Sequence, residues 1–77
     1  MKKAVEIMVK ALVGEPDAVD VSEHADGKNV RLELRVADAD MGRIIGREGR
    51  TVKAIRSLMY VAGQKHGKRF MLDLVED

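Results

Sequence analysis

The chain has 77 residues, 45% of them hydrophobic and 35% charged, with no cysteine, no tryptophan and a net charge of +1. That size and balance describe one small globular domain with a thin core, and they exclude a disulfide scaffold, a thiolate metal site and a disordered chain. No long apolar run opens the chain, so neither an export segment nor a membrane partner is expected and the chain reads as cytoplasmic.

From Ala4 to Val13 a helix is expected, with Val5, Met8, Val9 and Leu12 on one stripe and Lys2, Lys3, Glu6 and Lys10 left for water. Gly14 and Pro16 predict its end, because glycine accepts a left-handed backbone after a helix and proline cannot continue one. The period then changes. Val19 and Val21 alternate with Asp20 and Ser22, and Asp26-Gly27 signals a hairpin turn ahead of a longer run from Lys28 to Val36. In that run Val30, Leu32, Leu34 and Val36 face one side and Arg31, Glu33 and Arg35 the other, as in the central strand of a sheet covered on one face.

Asp38 or Asp40 is the expected N-cap of a short helix through Met41, Arg43, Ile44 and Ile45, which Gly46 ends. A longer helix follows from about Arg50 to His66, with Val52, Ile55 and Leu58 or Met59 as its apolar stripe and Gly67 as its stop. Phe70, Leu72 and Leu74 then alternate with Met71, Asp73 and Val75 as a last strand. The order is αββααβ. Because the chain returns from the second to the third strand through two helices, that pair is free to lie parallel by a right-handed crossover. The predicted fold class is α+β, a three-stranded mixed sheet with three helices on one face.

Charge divides unevenly along the chain. Residues 15–40 hold eight acids against three bases, a balance of −5, whereas residues 42–69 hold eight bases against one acid, a balance of +7. The basic half contains Gly46-Arg47-Glu48-Gly49, and its asymmetry points to a polyanion met on one side of the domain. Two glycines without β-carbons permit a tight turn and a close approach by a ligand, and the helix starting near Arg50 aims its N-terminal amides at the same place. Loop and helix start therefore form one anion site. An enzyme is not expected, because His24 falls in the first strand, His66 ends the long helix, and the acids are scattered. Paired metal-ligand spacing and the G-K-[ST] ending of a nucleotide-hydrolysing loop are both missing, so neither metal nor cofactor is expected.

The run Ile45-Gly46-Arg47-Glu48-Gly49, followed by Val52 and Ile55, resembles the KH signature of an apolar residue, G-x-x-G and spaced apolar residues along the next helix. The element order resembles the type II KH topology. Taken over residues 1–77 as a single KH domain, the chain is similar to the small single-KH-domain RNA-binding proteins of bacteria, the KhpA family. The resemblance implies a groove for about four unpaired nucleotides of single-stranded RNA and a role in post-transcriptional regulation or as an RNA chaperone. Its site would comprise Gly42, Arg43, Ile45, Gly46, Arg47, Glu48, Gly49, Arg50, Val52 and Lys53. In that set the glycine loop clamps the sugar-phosphate backbone, Arg43, Arg47, Arg50 and Lys53 meet phosphates, and Ile45 and Val52 form the floor under the bases. Ile44, Ile55 and Leu58 are assigned to packing, and Leu34 or Val36 of the central strand to the far wall.

Glu48 departs from the pattern, since its carboxylate either opposes the phosphates or turns outward to pair with Arg47 or Arg50. The scarcity of aromatics argues against stacking as the main source of affinity, and Tyr60 reads as half-buried packing. The resemblance also implies a homodimer and a heterodimer with a larger KH partner of the Jag type. A protein-interaction module with RNA binding secondary is the alternative.

Overall fold

In the computed structural model, which describes residues 1–75, the amphipathic N-terminal stretch forms helix α1, Lys2–Leu12. Val5 and Val9 are fully buried and Met8 partly so, whereas Leu12 is exposed in the last turn. Gly14 does not end the helix through a left-handed backbone as expected. Val13 turns to extended backbone (φ −95°, ψ 158°), and Gly14 instead donates its N–H to the Asp40 carboxylate at 3.0 Å. The helix is stopped by a long-range bond, not by a local glycine cap.

A short 3-10 turn, Pro16–Ala18, leads into strand β1, Asp20–Asp26, which pairs antiparallel with β2, Asn29–Arg35. Asp26 sits opposite Asn29, so the two-residue turn is Gly27-Lys28, with Gly27 at φ +61°, one position later than the Asp-Gly pair suggests. Strand β3, Arg69–Leu74, runs parallel to β2, and the sheet order is β1-β2-β3. The mixed three-stranded sheet and the order αββααβ agree with the expected architecture.

Alternation along the strands decides which face is covered. Val30, Leu32, Leu34 and Val36 point into one core with Val21 and Leu72, against Val5 and Val9 of α1 and the helices that follow β2. The other face carries Arg31 between Glu33 of the same strand at 3.1 Å and Asp73 of β3 at 3.7 Å, half-exposed ion pairs that contribute little to stability. Leu32, Leu34 and Ile44 are fully buried, each worth roughly 1.5–3 kcal/mol of transfer free energy.

Helix α2, Met41–Ile45, and helix α3, Arg50–His66, are joined by a tight turn, Arg47–Gly49. Gly67 takes the left-handed conformation that ends α3 (φ 63°, ψ 30°). The buried residues of α3 are Val52, Ile55, Met59 and Gly63. Leu58 precedes Met59 by one residue, about 100° around the helix, so it is 58% exposed and does not pack as expected. Tyr60 lies on the opposite flank at 66% exposure, which overturns its reading as half-buried packing. Gly63 matters for position. A β-carbon there would collide with the Lys68 carbonyl oxygen, so its absence lets α3 close against the start of β3.

Candidate nucleic-acid interface

The interface is built where α2 ends. Its last turn closes when the Gly46 N–H donates to the Gly42 carbonyl at 2.9 Å, and Gly49 in turn donates to Gly46 at 3.2 Å. Gly46 holds φ 75° and ψ 174°, Glu48 φ 57° and ψ 26°, and Gly49 φ 75° and ψ 14°. Three residues in four thus carry positive φ, so the turn demands more than its two glycines supply. Glu48 bears a left-handed backbone that costs a non-glycine residue about 1 kcal/mol. The turn places the positive end of the α3 dipole beside it, the polarity that attracts an anion, although the Gly49 and Arg50 N–H groups already donate to Gly46 and Arg47.

The surrounding cations are not equivalent. Arg47 is exposed at the tip of the turn. Lys53 folds back along the first turn of α3, its Cε 3.9 Å from the place a Gly49 β-carbon would occupy. Arg50 approaches the Glu48 carboxylate at 3.5 Å with both side chains largely exposed, so Glu48 takes the outward arrangement. Arg43 leans instead toward the far end of α2, its Nε 3.7 Å from Asp40, and its guanidinium covers Gly14. Asp40 itself is buried and accepts the N–H groups of Gly14 and Glu15, each at 3.0 Å. It makes no side-chain cap for α2; it ties the α1–β1 connection to the start of the helix that carries the loop. Sequence spacing gave no sign of it, since its partners lie 26 and 25 residues away.

The apolar members also divide. Ile44 and Ile55 are core residues as assigned, Ile45 is half-buried beside the turn, and Val52 is only 7% exposed within the core cluster. Gly42 is exposed on α2 with open space around its α-carbon. Leu34 and Val36 are buried under the helices and cannot form a far wall. The strand that faces α3 is β3, at the sheet edge, because β2 lies between its two partners. A groove of about 600 Å³ runs between them, lined by Arg56, Tyr60, Gln64, Lys68, Phe70 and Leu72 among others. Lys53, Arg56, Tyr60 and Gln64 recur at three- and four-residue intervals, so one flank of α3 leads from the glycine turn into this groove. The sequence reading missed Arg56 and β3 here, although the charge at Arg56, Lys68 and Arg69 was visible.

A family description, KhpA/KhpB, KH domain, matches residues 2–74. The chain belongs to this KH family. Among curated relatives, the RNA-binding protein KhpA of Halalkalibacterium halodurans is 49% identical over 76 residues, covering 99% of this chain and 100% of the relative. The RNA-binding protein KhpA of Clostridium acetobutylicum is 43% identical over 75 residues, 97% of this chain and 100% of the relative. That of Aquifex aeolicus is 41% identical over 76 residues, 99% and 96% of the two chains. No solved structure matches the chain. The matched residues include the Gly46–Gly49 turn between α2 and α3 and the mixed sheet beneath them. Among the described residues no helix is long and apolar enough to cross a membrane, and no group of three or more His, Cys, Asp or Glu side chains is placed to hold a metal ion.

Proposed function

We propose that the chain is a single RNA-binding KH unit, which takes a short single-stranded segment along the glycine turn and the α3–β3 groove and acts in the cytoplasm as a post-transcriptional regulator or RNA chaperone. The observation that carries this reading is the continuity of the two: the start of α3 and the cations Arg47, Arg50 and Lys53 at the turn lead directly into a groove with an open strand edge. Phosphates belong at the cationic end, where the α3 dipole and side-chain charges act together. Bases belong in the groove, which requires them to be unpaired, since a duplex keeps their edges engaged. The names of the relatives support RNA as the polyanion. Fluorescence anisotropy with a labelled hexanucleotide, single-stranded and in duplex, tests it: the single strand binds and the duplex does not compete at equal concentration. Equal affinity for both forms contradicts the reading.

Self-association is the second part of the proposal, with a larger KH protein of the Jag type as the alternative partner. Ile7, Leu58 and Val61 leave 64%, 58% and 55% of their surface exposed on the outer flanks of α1 and α3, apolar area that a second subunit would cover. Sedimentation across the micromolar range measures it, and a monomer mass throughout removes it.

A further inference from the structure

We propose that copies of this chain join edge to edge, β1 of one beside β3 of the next, and that the joint fills the groove assigned above to RNA, so that pairing and bound RNA exclude each other. The joint rests on the two strand edges and uses none of Ile7, Leu58 and Val61; the exclusion rests on the RNA-binding reading.

The sheet order β1-β2-β3 leaves each outer strand with one edge that no strand covers. Arg69 donates to Lys28 at 2.8 Å and Val75 to Leu34 at 2.9 Å, so residues 69, 71, 73 and 75 bond to β2, and Phe70, Leu72 and Leu74 turn their backbone groups outward. The even residues of β2 thereby serve β3 and the odd ones serve β1. Asp20, Ser22, His24 and Asp26 lie opposite those odd residues and bond to them, which leaves the backbone groups of Val21, Glu23 and Ala25 outward. Each edge thus presents three alternate residues whose N–H and C=O groups the sheet does not use.

A copy added in the same orientation sets its β1 antiparallel to β3, because β1 opposes β2 and β2 runs with β3. Matching the outward residues puts Phe70 against Ala25, Leu72 against Glu23 and Leu74 against Val21, and on the other face Arg69 falls opposite Asp26. Charges agree at both places where they meet. The Arg56 Nη2 donates to the Leu72 oxygen at 3.1 Å, which holds the guanidinium on the helix-covered side of Leu72, where the Glu23 carboxylate of the next copy arrives. The carbonyl keeps a second lone pair for the incoming Glu23 N–H. Glu23 and Ala25 are exposed although they share a face with buried Val21, so this corner of the sheet is open to the flank of a neighbouring α3. Like edges do not match. Two β1 edges set antiparallel bring Glu23 against Glu23 and Asp20 against Asp26, and two β3 edges bring Arg56 against Arg56.

Sedimentation equilibrium of the full chain from micromolar to millimolar concentration tests the joint. At low salt the mass keeps rising past that of a dimer, since unlike edges join in an open row, and it falls by at least about twofold at high salt. A mass that levels off at monomer or dimer overturns the proposal with no variant needed. Glu23→Arg and Arg56→Glu, both at exposed positions, each stop the growth, and an equal mixture of the two restores it. In the mixture the arginine introduced at position 23 meets the glutamate introduced at position 56, and the native Arg56 and Glu23 meet at the next joint. No rescue in the mixture, with both variants folded by circular dichroism, overturns the proposal. Ala25→Pro deletes an outward N–H without breaking a bond to β2 and likewise lowers the mass. A single-stranded hexanucleotide in excess disperses the rows, and rows that persist with RNA bound overturn the exclusion. Growth of the mass with no RNA binding removes the RNA reading and leaves the joint standing, whereas RNA binding by a protein whose mass never grows removes this inference alone.

Discussion

Thr51 closes over Gly46: a β-carbon built on the glycine would stand 2.8 Å from both the Thr51 Cβ and the Thr51 backbone nitrogen. Gly46 also holds φ 75° and ψ 174°, a region open essentially to glycine alone. Gly49 differs on both counts, with an ordinary left-handed backbone and nothing closer than the Lys53 Cε at 3.9 Å. Gly46→Ala is therefore expected to cost roughly 3 kcal/mol or more, from contact and strain combined. Gly49→Ala costs about 1–2 kcal/mol, from strain alone. Urea unfolding of the two variants checks the order, and equal losses contradict it. Adding Thr51→Gly to Gly46→Ala restores only part of the stability, because the backbone nitrogen stays in place.

Asp40 supplies a second prediction. Its carboxylate accepts two backbone N–H groups while only 3% of the residue is exposed. Asp40→Ala leaves the Gly14 and Glu15 donors without that acceptor and is expected to destabilise the fold by about 1–3 kcal/mol. Hydrogen exchange at those two amides rises more than the global loss requires. Unchanged protection at Gly14 and Glu15 shows that the bond is not what holds the connection.

Much of this architecture was legible from residue order. The span of α3 follows from the spacing of Val52, Ile55 and Met59 and from Gly67 at its end, each a local property of the chain. The covered face of β2 follows from strict alternation of Val30, Leu32, Leu34 and Val36. Less legible was whatever depends on two distant segments meeting. Asp40 looks like a local helix cap until Gly14 and Glu15 arrive, and the far wall of the groove looks like β2 until the parallel pairing puts β3 at the edge. Tyr60 was misread because a lone aromatic on an amphipathic helix suggests packing, while here the stripe turns it toward the groove.

Glu48 is strained and carries charge of the wrong sign for a phosphate site. Asparagine tolerates the left-handed backbone better and removes the carboxylate, at the loss of an exposed pair with Arg50 worth little. Glu48→Asn should thus gain up to ~1 kcal/mol in stability and bind RNA severalfold tighter. Thermal melting and anisotropy on the same sample decide, and weaker RNA binding by the variant would mean that Glu48 contacts the ligand directly.

Salt dependence follows from the number of phosphates the turn meets. If Arg47, Arg50 and Lys53 with the α3 dipole neutralise about two to four phosphates, log K falls against log salt with a slope of roughly −1.4 to −2.8. Titration between low and moderate salt measures the slope. A value near zero contradicts phosphate contact at the turn.

The most direct measurement replaces Arg47 and Glu48 together by Asp and follows RNA anisotropy beside circular dichroism. Aspartate is among the residues that accept the left-handed backbone of position 48 (φ 57°, ψ 26°), and both side chains are exposed, so the fold is retained. One cation is lost and two carboxylates stand at the start of α3, so affinity for single-stranded RNA falls by at least ~2 kcal/mol, roughly thirtyfold. A folded double variant that binds RNA as tightly as the parent would show that the glycine turn is not where RNA binds.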